Sequence, residues 1–193
     1  MEAIVYKIIF MVLFVLAAAF RAPYAHKARK AKIVASKRKL FEKVLLLPIG
    51  SVMLILPLFV VFTVWFDVFN LSLPMWLRLI GAVGFAFAVF IHNWAHIALE
   101  ENFAPFVELH ENHKLVTFGP YKYVIHPMYT AFFLWSIFQG LLLDNWLVLV
   151  TGFITFLIVY TLRVKHEEQL MIEKFGQRYR SYMKKTGRLF PKF

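Results

Sequence analysis

Two apolar runs decide the architecture: residues 127–143, PMYTAFFLWSIFQGLLL, and residues 146–162, WLVLVTGFITFLIVYTL, with only Asp144-Asn145 between them. Each lies at the short end of what crosses a hydrocarbon layer of ~30 Å at ~1.5 Å per residue. A two-residue polar break leaves room for a turn and nothing more, so the pair reads as a tight helical hairpin. The stretch before it, Leu115-Val-Thr-Phe-Gly-Pro-Tyr-Lys-Tyr-Val-Ile-His-Pro-Met-Tyr129, is a junction between a polar segment rich in His and Glu and the first apolar run. Gly119-Pro120 signals a turn, and Pro127 suits the first turn of a helix, where no N–H is missed. His126 therefore stands at a helix entrance with Tyr121, Tyr123 and Tyr129 close by, beside the partly positive end of the helix. Out and back through a bilayer, the hairpin returns the chain to that level at Arg163, so two distant polar patches are expected to meet.

Of the 193 residues, 61% are hydrophobic and 18% aromatic, more than a soluble domain of this size needs for its core, and the chain reads as an integral membrane protein. The net charge is +11, and the basic residues cluster in Arg21–Lys43 and Arg163–Lys192, each beside an apolar run. Juxtamembrane Lys and Arg point to the positive-inside rule and to anionic headgroups, not to nucleic acid. With no cysteine, disulfides, thiolate metal sites and Cys nucleophiles are excluded. No repeat or linker interrupts the chain, which reads as one all-α unit, residues 1–193, with no protein partner evident.

Five spans are expected, at about 3–20, 44–66, 75–98, 127–143 and 146–162, followed by a C-terminal cytosolic helix. Ala17-Ala18-Ala19 resembles a signal cleavage region, but positive charge follows the first apolar run and does not precede it, which favours a retained helix with its N-terminus outside. The basic loop Arg21–Lys43 then faces the cytosol, either beneath a prokaryotic plasma membrane or at the endoplasmic reticulum. Pro48 and Pro57 should kink the second span. Gly81, Gly84, Ala86 and Ala88 offer the third span a small-residue face for close packing. Trp65 and Trp76 flank an outer turn at 67–74.

At the inner end of the third span, His92 and His96 lie one helical turn apart. The His-Asn-Trp-Ala-His pattern lacks the glutamate of the zinc helix, and with His110 and His113 it allows an iron cluster of the membrane desaturase kind; no third firm ligand is placed, so no metal is assigned. After the hairpin, Arg163 and Glu167 are four residues apart on one helical face. A solvated ion pair explains them, but ionisable groups at a membrane boundary facing a polar loop are functional candidates by default.

Leu115-Val-Thr-x-Gly-Pro-Tyr121, His126-Pro-x-Tyr129, Arg163-x-x-x-Glu167-Glu168, Phe175-Gly-x-x-Tyr179-x-x-Tyr182 and the terminal Arg188-Leu-Phe-Pro191 together resemble the isoprenylcysteine carboxyl methyltransferase and phospholipid methyltransferase superfamily. The resemblance covers the C-terminal half, with the catalytic segments at 113–129 and 163–191. It implies a multi-pass membrane enzyme using S-adenosylmethionine, with S-adenosylhomocysteine as product. It places His113, Lys114, Leu115, Val116, Gly119, Tyr121, His126, Pro127, Met128, Tyr129 and Glu167 about the cofactor, and Arg163 at the methyl acceptor, with Arg163, Glu167 and Glu168 as catalytic residues. Members often carry Arg immediately before His-Pro. Here that residue is Ile125, so any role of that arginine is absent or supplied elsewhere, with Lys122 as the substitute the sequence offers.

A carboxylate acceptor is already ionised at neutral pH and needs alignment and a dry site, not a base. An amine acceptor such as phosphatidylethanolamine must first lose a proton, which would fall to Glu168 or His126. Arg163 favours the anionic acceptor, a prenylcysteine-like lipid in the bilayer. Sterol reductases that use NADPH share the superfamily's shape but imply a longer chain.

Overall fold

The computed structural model describes residues 2–30, 33–36, 44–47, 49–100, 108–110 and 114–192. Its first helix, α1 (Glu2–Lys30), does not stop where the apolar run ends. The loop expected from Arg21 is helical for another ten residues, because Ala22, Ala25, Lys27, Arg29 and Lys30 are good helix formers with no breaker beyond Pro23. One face of α1 buries Tyr6, Phe10 and Ala17, while Ile4, Ile8, Val12 and Val15 are exposed, as a lipid-facing surface requires.

The second apolar helix, Val44–Phe62, is π-helical over Gly50–Ile55 before it continues as α2 (Leu56–Phe62). A proline ring collides with the carbonyl four residues back, and the wider π turn relieves that collision ahead of Pro57. The kink expected at Pro57 takes this form; Pro48 lies outside the described residues. Thr63 leaves the helix in extended conformation, so the span expected to reach residue 66 ends at Phe62.

Three helices form the centre: α3 (Met75–Leu99), α4 (Pro127–Leu142) and α5 (Trp146–Phe175). A Cβ at Gly81 would strike the backbone of Leu141 and Leu142, and one at Gly84 the ring of Phe138, so α3 and α4 approach closely along the small-residue face. Phe10 stacks on Phe85 at 5.4 Å, and Trp135 meets Phe85 edge-on at 4.8 Å, joining α1, α3 and α4 in one core. At 16 residues, α4 is about 24 Å long, shorter than a hydrocarbon layer. Of the five spans expected, four correspond to helices long and apolar enough to cross, and 127–143 is the exception among the described residues.

The Asp144-Asn145 break proves to be a joint. Asn145 caps α5 by accepting from Val148 N–H at 3.1 Å and donates to the Phe66 carbonyl at 3.0 Å. Asp144, at φ +57°, accepts from Leu73 N–H at 2.9 Å. The hairpin tip is thereby fastened to the turn after α2. Two short strands that the all-α reading did not foresee, β1 (Ile33–Ser36) and β2 (Glu108–His110), pair antiparallel, with Ile33 opposite His110. The last helix, α6 (Gln177–Lys185), follows Gly176 at φ +53° and buries Tyr179.

Candidate active site

The helices line a cavity of about 730 Å³. Its apolar half is built by Phe14, Ala17 and Ala18 of α1, Met53 of the π-helical turn, and Phe132 and Trp135 of α4. Its polar end gathers Tyr121, His126, Tyr129, Arg163 and Glu167. Arg21 and His26, on the basic end of α1, border the same cavity, so this end of the bundle is the basic one.

Each polar side chain is held by a local cause. Gly119 adopts φ +61°, which turns the chain into the short 3₁₀ helix Gly119–Lys122 and delivers Tyr121 inward, 8% exposed. The Tyr182 hydroxyl of α6 donates to the Tyr121 carbonyl and secures that turn. Burial, and then the nearby Glu167 carboxylate, push the Tyr121 hydroxyl well above the usual tyrosine range, so it remains a neutral donor. Pro127 opens α4, placing His126 at its N-cap, 6% exposed. One turn into α4, Tyr129 donates its hydroxyl to Glu167 Oε2 at 2.9 Å. Its ring meets Tyr160 edge-on at 5.4 Å.

The expected residues divide. Lys114, Leu115, Val116, Tyr121, His126, Met128, Tyr129, Arg163 and Glu167 border the cavity. Three that were expected there do not. Gly119 faces α3, where a Cβ would meet Ala98 at 3.1 Å. Pro127 is packed within the fold at the start of α4. Glu168 follows Glu167 by ~100° around the helix and turns away from the cavity, to His126 Nε2 at 3.2 Å and to the Arg188 guanidinium at 2.9 and 2.8 Å. Both of its oxygens are thereby engaged by His126 and Arg188. His113 lies outside the described residues.

Lys122, offered by the sequence as a substitute for an arginine at 125, is exposed above the Tyr123 ring at 6.0 Å. The cation near His126 comes instead from Arg188. Its hydrogen bonds to Glu168 hold the guanidinium above its ordinary range.

The sequence offered His92 as a metal ligand or as a polar residue facing headgroups or neighbours; it borders the apolar half of the cavity, 2% exposed, between Phe132 and Trp135. Its Nδ1 meets Asn93 Oδ1 at 3.1 Å, and His96 Nδ1 meets the His92 carbonyl at 3.0 Å. Among the described residues no group of three His, Asp or Glu side chains could hold a metal ion. No spacing rule could have found Phe14, Met53 or Trp135, since they read as ordinary membrane residues.

Residues 79–173 match the sequence profile of the isoprenylcysteine carboxyl methyltransferase (ICMT) family. Protein-S-isoprenylcysteine O-methyltransferase of Xenopus laevis is 34% identical over 113 residues, covering 58% of this chain and 39% of that protein. The protein of the same name from Homo sapiens is 32% identical over 113 residues, covering 58% and 40%. That from Saccharomyces cerevisiae is 33% identical over 96 residues, covering 50% and 37%. The chain thus spans about two fifths of the length of these relatives. In fold it is similar to the solved structure of the eukaryotic intramembrane Ras methyltransferase ICMT, with a TM-score of 0.56 at 23% identity, over 81% of this chain and 54% of that one. Residues 79–173 are thus similar to the isoprenylcysteine carboxyl methyltransferase family.

Proposed function

We propose that the chain is a membrane methyltransferase that uses S-adenosylmethionine to methylate the carboxylate of a prenylcysteine-like lipid at the cytosolic leaflet. The observation that carries this reading is the single cavity with two chemistries, a polar end at Tyr121, Tyr129, Arg163 and Glu167 continuous with an apolar half between α1, the π-helical turn and α4. One reactant is water-soluble and charged, the other is mostly hydrocarbon, and a volume of about 730 Å³ is in the range of pockets that enclose such ligands. The names of the relatives support the same acceptor.

The residues present fit the cofactor. Glu167, already oriented by Tyr129, would accept from an ammonium or from ribose hydroxyls, and the Tyr121 and Tyr129 rings offer faces to a sulfonium cation. Leu115, Val116 and Met128 would wall a flat base. The bound cofactor supplies an activated methyl group; the protein's part is placement. Arg163 would hold the acceptor carboxylate in its planar fork, with the lipid chain running toward Phe132 and Trp135. The carboxylate is ionised at neutral pH, so no residue removes a proton. The gain in rate comes from alignment and from exclusion of water by the apolar wall.

Purified protein incubated with labelled S-adenosylmethionine and, in separate reactions, a farnesylcysteine analogue or phosphatidylethanolamine tests the reading. Transfer to the first alone is expected. Transfer to phosphatidylethanolamine alone would make the acceptor an amine, and transfer to neither would remove the proposal. The positive-inside rule applied to the basic ends of α1 and α6 supports the cytosolic placement, which fails if Lys192 is accessible to protease only from outside.

A further inference from the structure

The tail beyond α6 runs beside the loop that carries His126. Ile125 N–H donates to the Gly187 carbonyl at 2.8 Å, His126 N–H to that of Arg188 at 3.1 Å, and the Thr130 hydroxyl to that of Leu189 at 2.7 Å. Phe190 closes the contact edge-on against Phe133 at 5.7 Å. This register sets Arg188 opposite His126.

From there the guanidinium forks onto Glu168, Nε to Oε1 at 2.9 Å and Nη2 to Oε2 at 2.8 Å, while His126 Nε2 meets the same Oε1 at 3.2 Å. Glu168 is 5% exposed, and a buried carboxylate is costly unless both oxygens are paired. The residue next to the histidine, Ile125, is apolar and buried, so the needed cation is delivered across the register by the tail. Only a planar, permanently charged fork meets both oxygens at once.

We propose that Arg188 is a positioning residue: by pairing with Glu168 it fixes the His126 ring at the polar end of the cavity and thereby sets affinity for the cofactor. This rests on reading that end as the S-adenosylmethionine site. Without the guanidinium, His126 would be the remaining hydrogen-bond partner of the Glu168 carboxylate, and the pair would relax toward each other, away from the cavity wall. The backbone bonds of the tail do not involve the Arg188 side chain, so they survive its replacement.

The test uses the full chain in nanodiscs, with S-adenosylhomocysteine binding by calorimetry and transfer to a farnesylcysteine analogue. Arg188→Gln should raise the S-adenosylhomocysteine Kd roughly tenfold, as the loss of a charge-assisted hydrogen-bond pair implies, while the acceptor KM stays within about twofold. Arg188→Lys should recover part of the loss. The double variant Glu168→Gln, Arg188→Gln should bind better than Arg188→Gln alone, because no unpaired buried charge remains. An Arg188→Gln Kd within about twofold of wild type overturns the inference, as does a loss in Arg188→Lys equal to that in Arg188→Gln. If Arg188→Gln does not fold, Arg188→Lys decides: a weaker Kd with unchanged KM supports the role, and an unchanged Kd overturns it. Wild-type protein that neither binds S-adenosylhomocysteine nor transfers a methyl group overturns the reading of the cavity instead.

Discussion

Replacing Glu167 with glutamine probes the cofactor end of the cavity most directly. Glu167 accepts from the Tyr129 hydroxyl through Oε2 at 2.9 Å, which aims the carboxylate and leaves Oε1 available to a donor in the cavity. Glutamine keeps the length, and its carbonyl still accepts from Tyr129, so the geometry survives and the charge does not. A hydrogen bond to a charged acceptor contributes about 1.5–3 kcal/mol and a neutral one about 0.5–1.5, a difference of about 1–2 kcal/mol. That corresponds to a roughly 5- to 30-fold weaker S-adenosylhomocysteine Kd. Tyr129→Phe is the control: the charge stays, the aiming bond goes, and a smaller loss of about threefold is expected. Calorimetry on the three proteins in the same nanodiscs, with unfolding temperatures alongside, separates affinity from folding. A Glu167→Gln Kd within about twofold of wild type, or no worse than that of Tyr129→Phe, refutes a charged contact between Glu167 and the cofactor.

Arg163→Lys should lower turnover of the carboxylate acceptor at least about tenfold while S-adenosylhomocysteine binding changes little, because the charge remains but the paired geometry is lost; loss of cofactor binding with an unchanged acceptor KM would move Arg163 to the other ligand. His92→Ala should raise the acceptor KM and leave S-adenosylhomocysteine binding within about twofold, since His92 borders the apolar half between Phe132 and Trp135. Asn145→Ala removes the cap on Val148 and the bond to the Phe66 carbonyl, and should cost about 1–3 kcal/mol in unfolding experiments without altering cofactor affinity. Gly84→Val would drive a branched side chain into the Phe138 ring and should destabilise the α3–α4 packing by about 1–3 kcal/mol or more, read as a lowered unfolding temperature.

Local chemistry already specified much of this molecule in its sequence. The apolar runs, Pro127 and the small residues Gly81 and Gly84 dictate helices, a helix start and a close-packed face, because each acts through its own backbone or its immediate neighbours. Four of the described helices accordingly match apolar runs long enough to span, and nine of the residues assigned to the site by resemblance or charge border one cavity. Where local rules competed, the reading failed: Arg21–Lys30 is charged enough for a loop and helix-forming enough to extend α1, and the helix prevailed.

The rest depends on which distant groups a turn or a register brings together, and that is not written in any single stretch. Glu167 and Glu168 are adjacent and chemically identical. Only helix rotation sends one into the cavity and the other to His126 and Arg188. Asp144-Asn145 looked like a bare polar break, and the tertiary fold makes it the joint to Phe66 and Leu73. Arg188 was legible as part of a terminal motif, but its place beside His126 depends on hydrogen bonds between the tail and residues 125–130, formed after the hairpin has returned the chain to its starting level. The sequence determines which groups are charged, apolar or stiff; the folded chain decides which of them share a face, because facing is a property of packing between segments and not of any one of them.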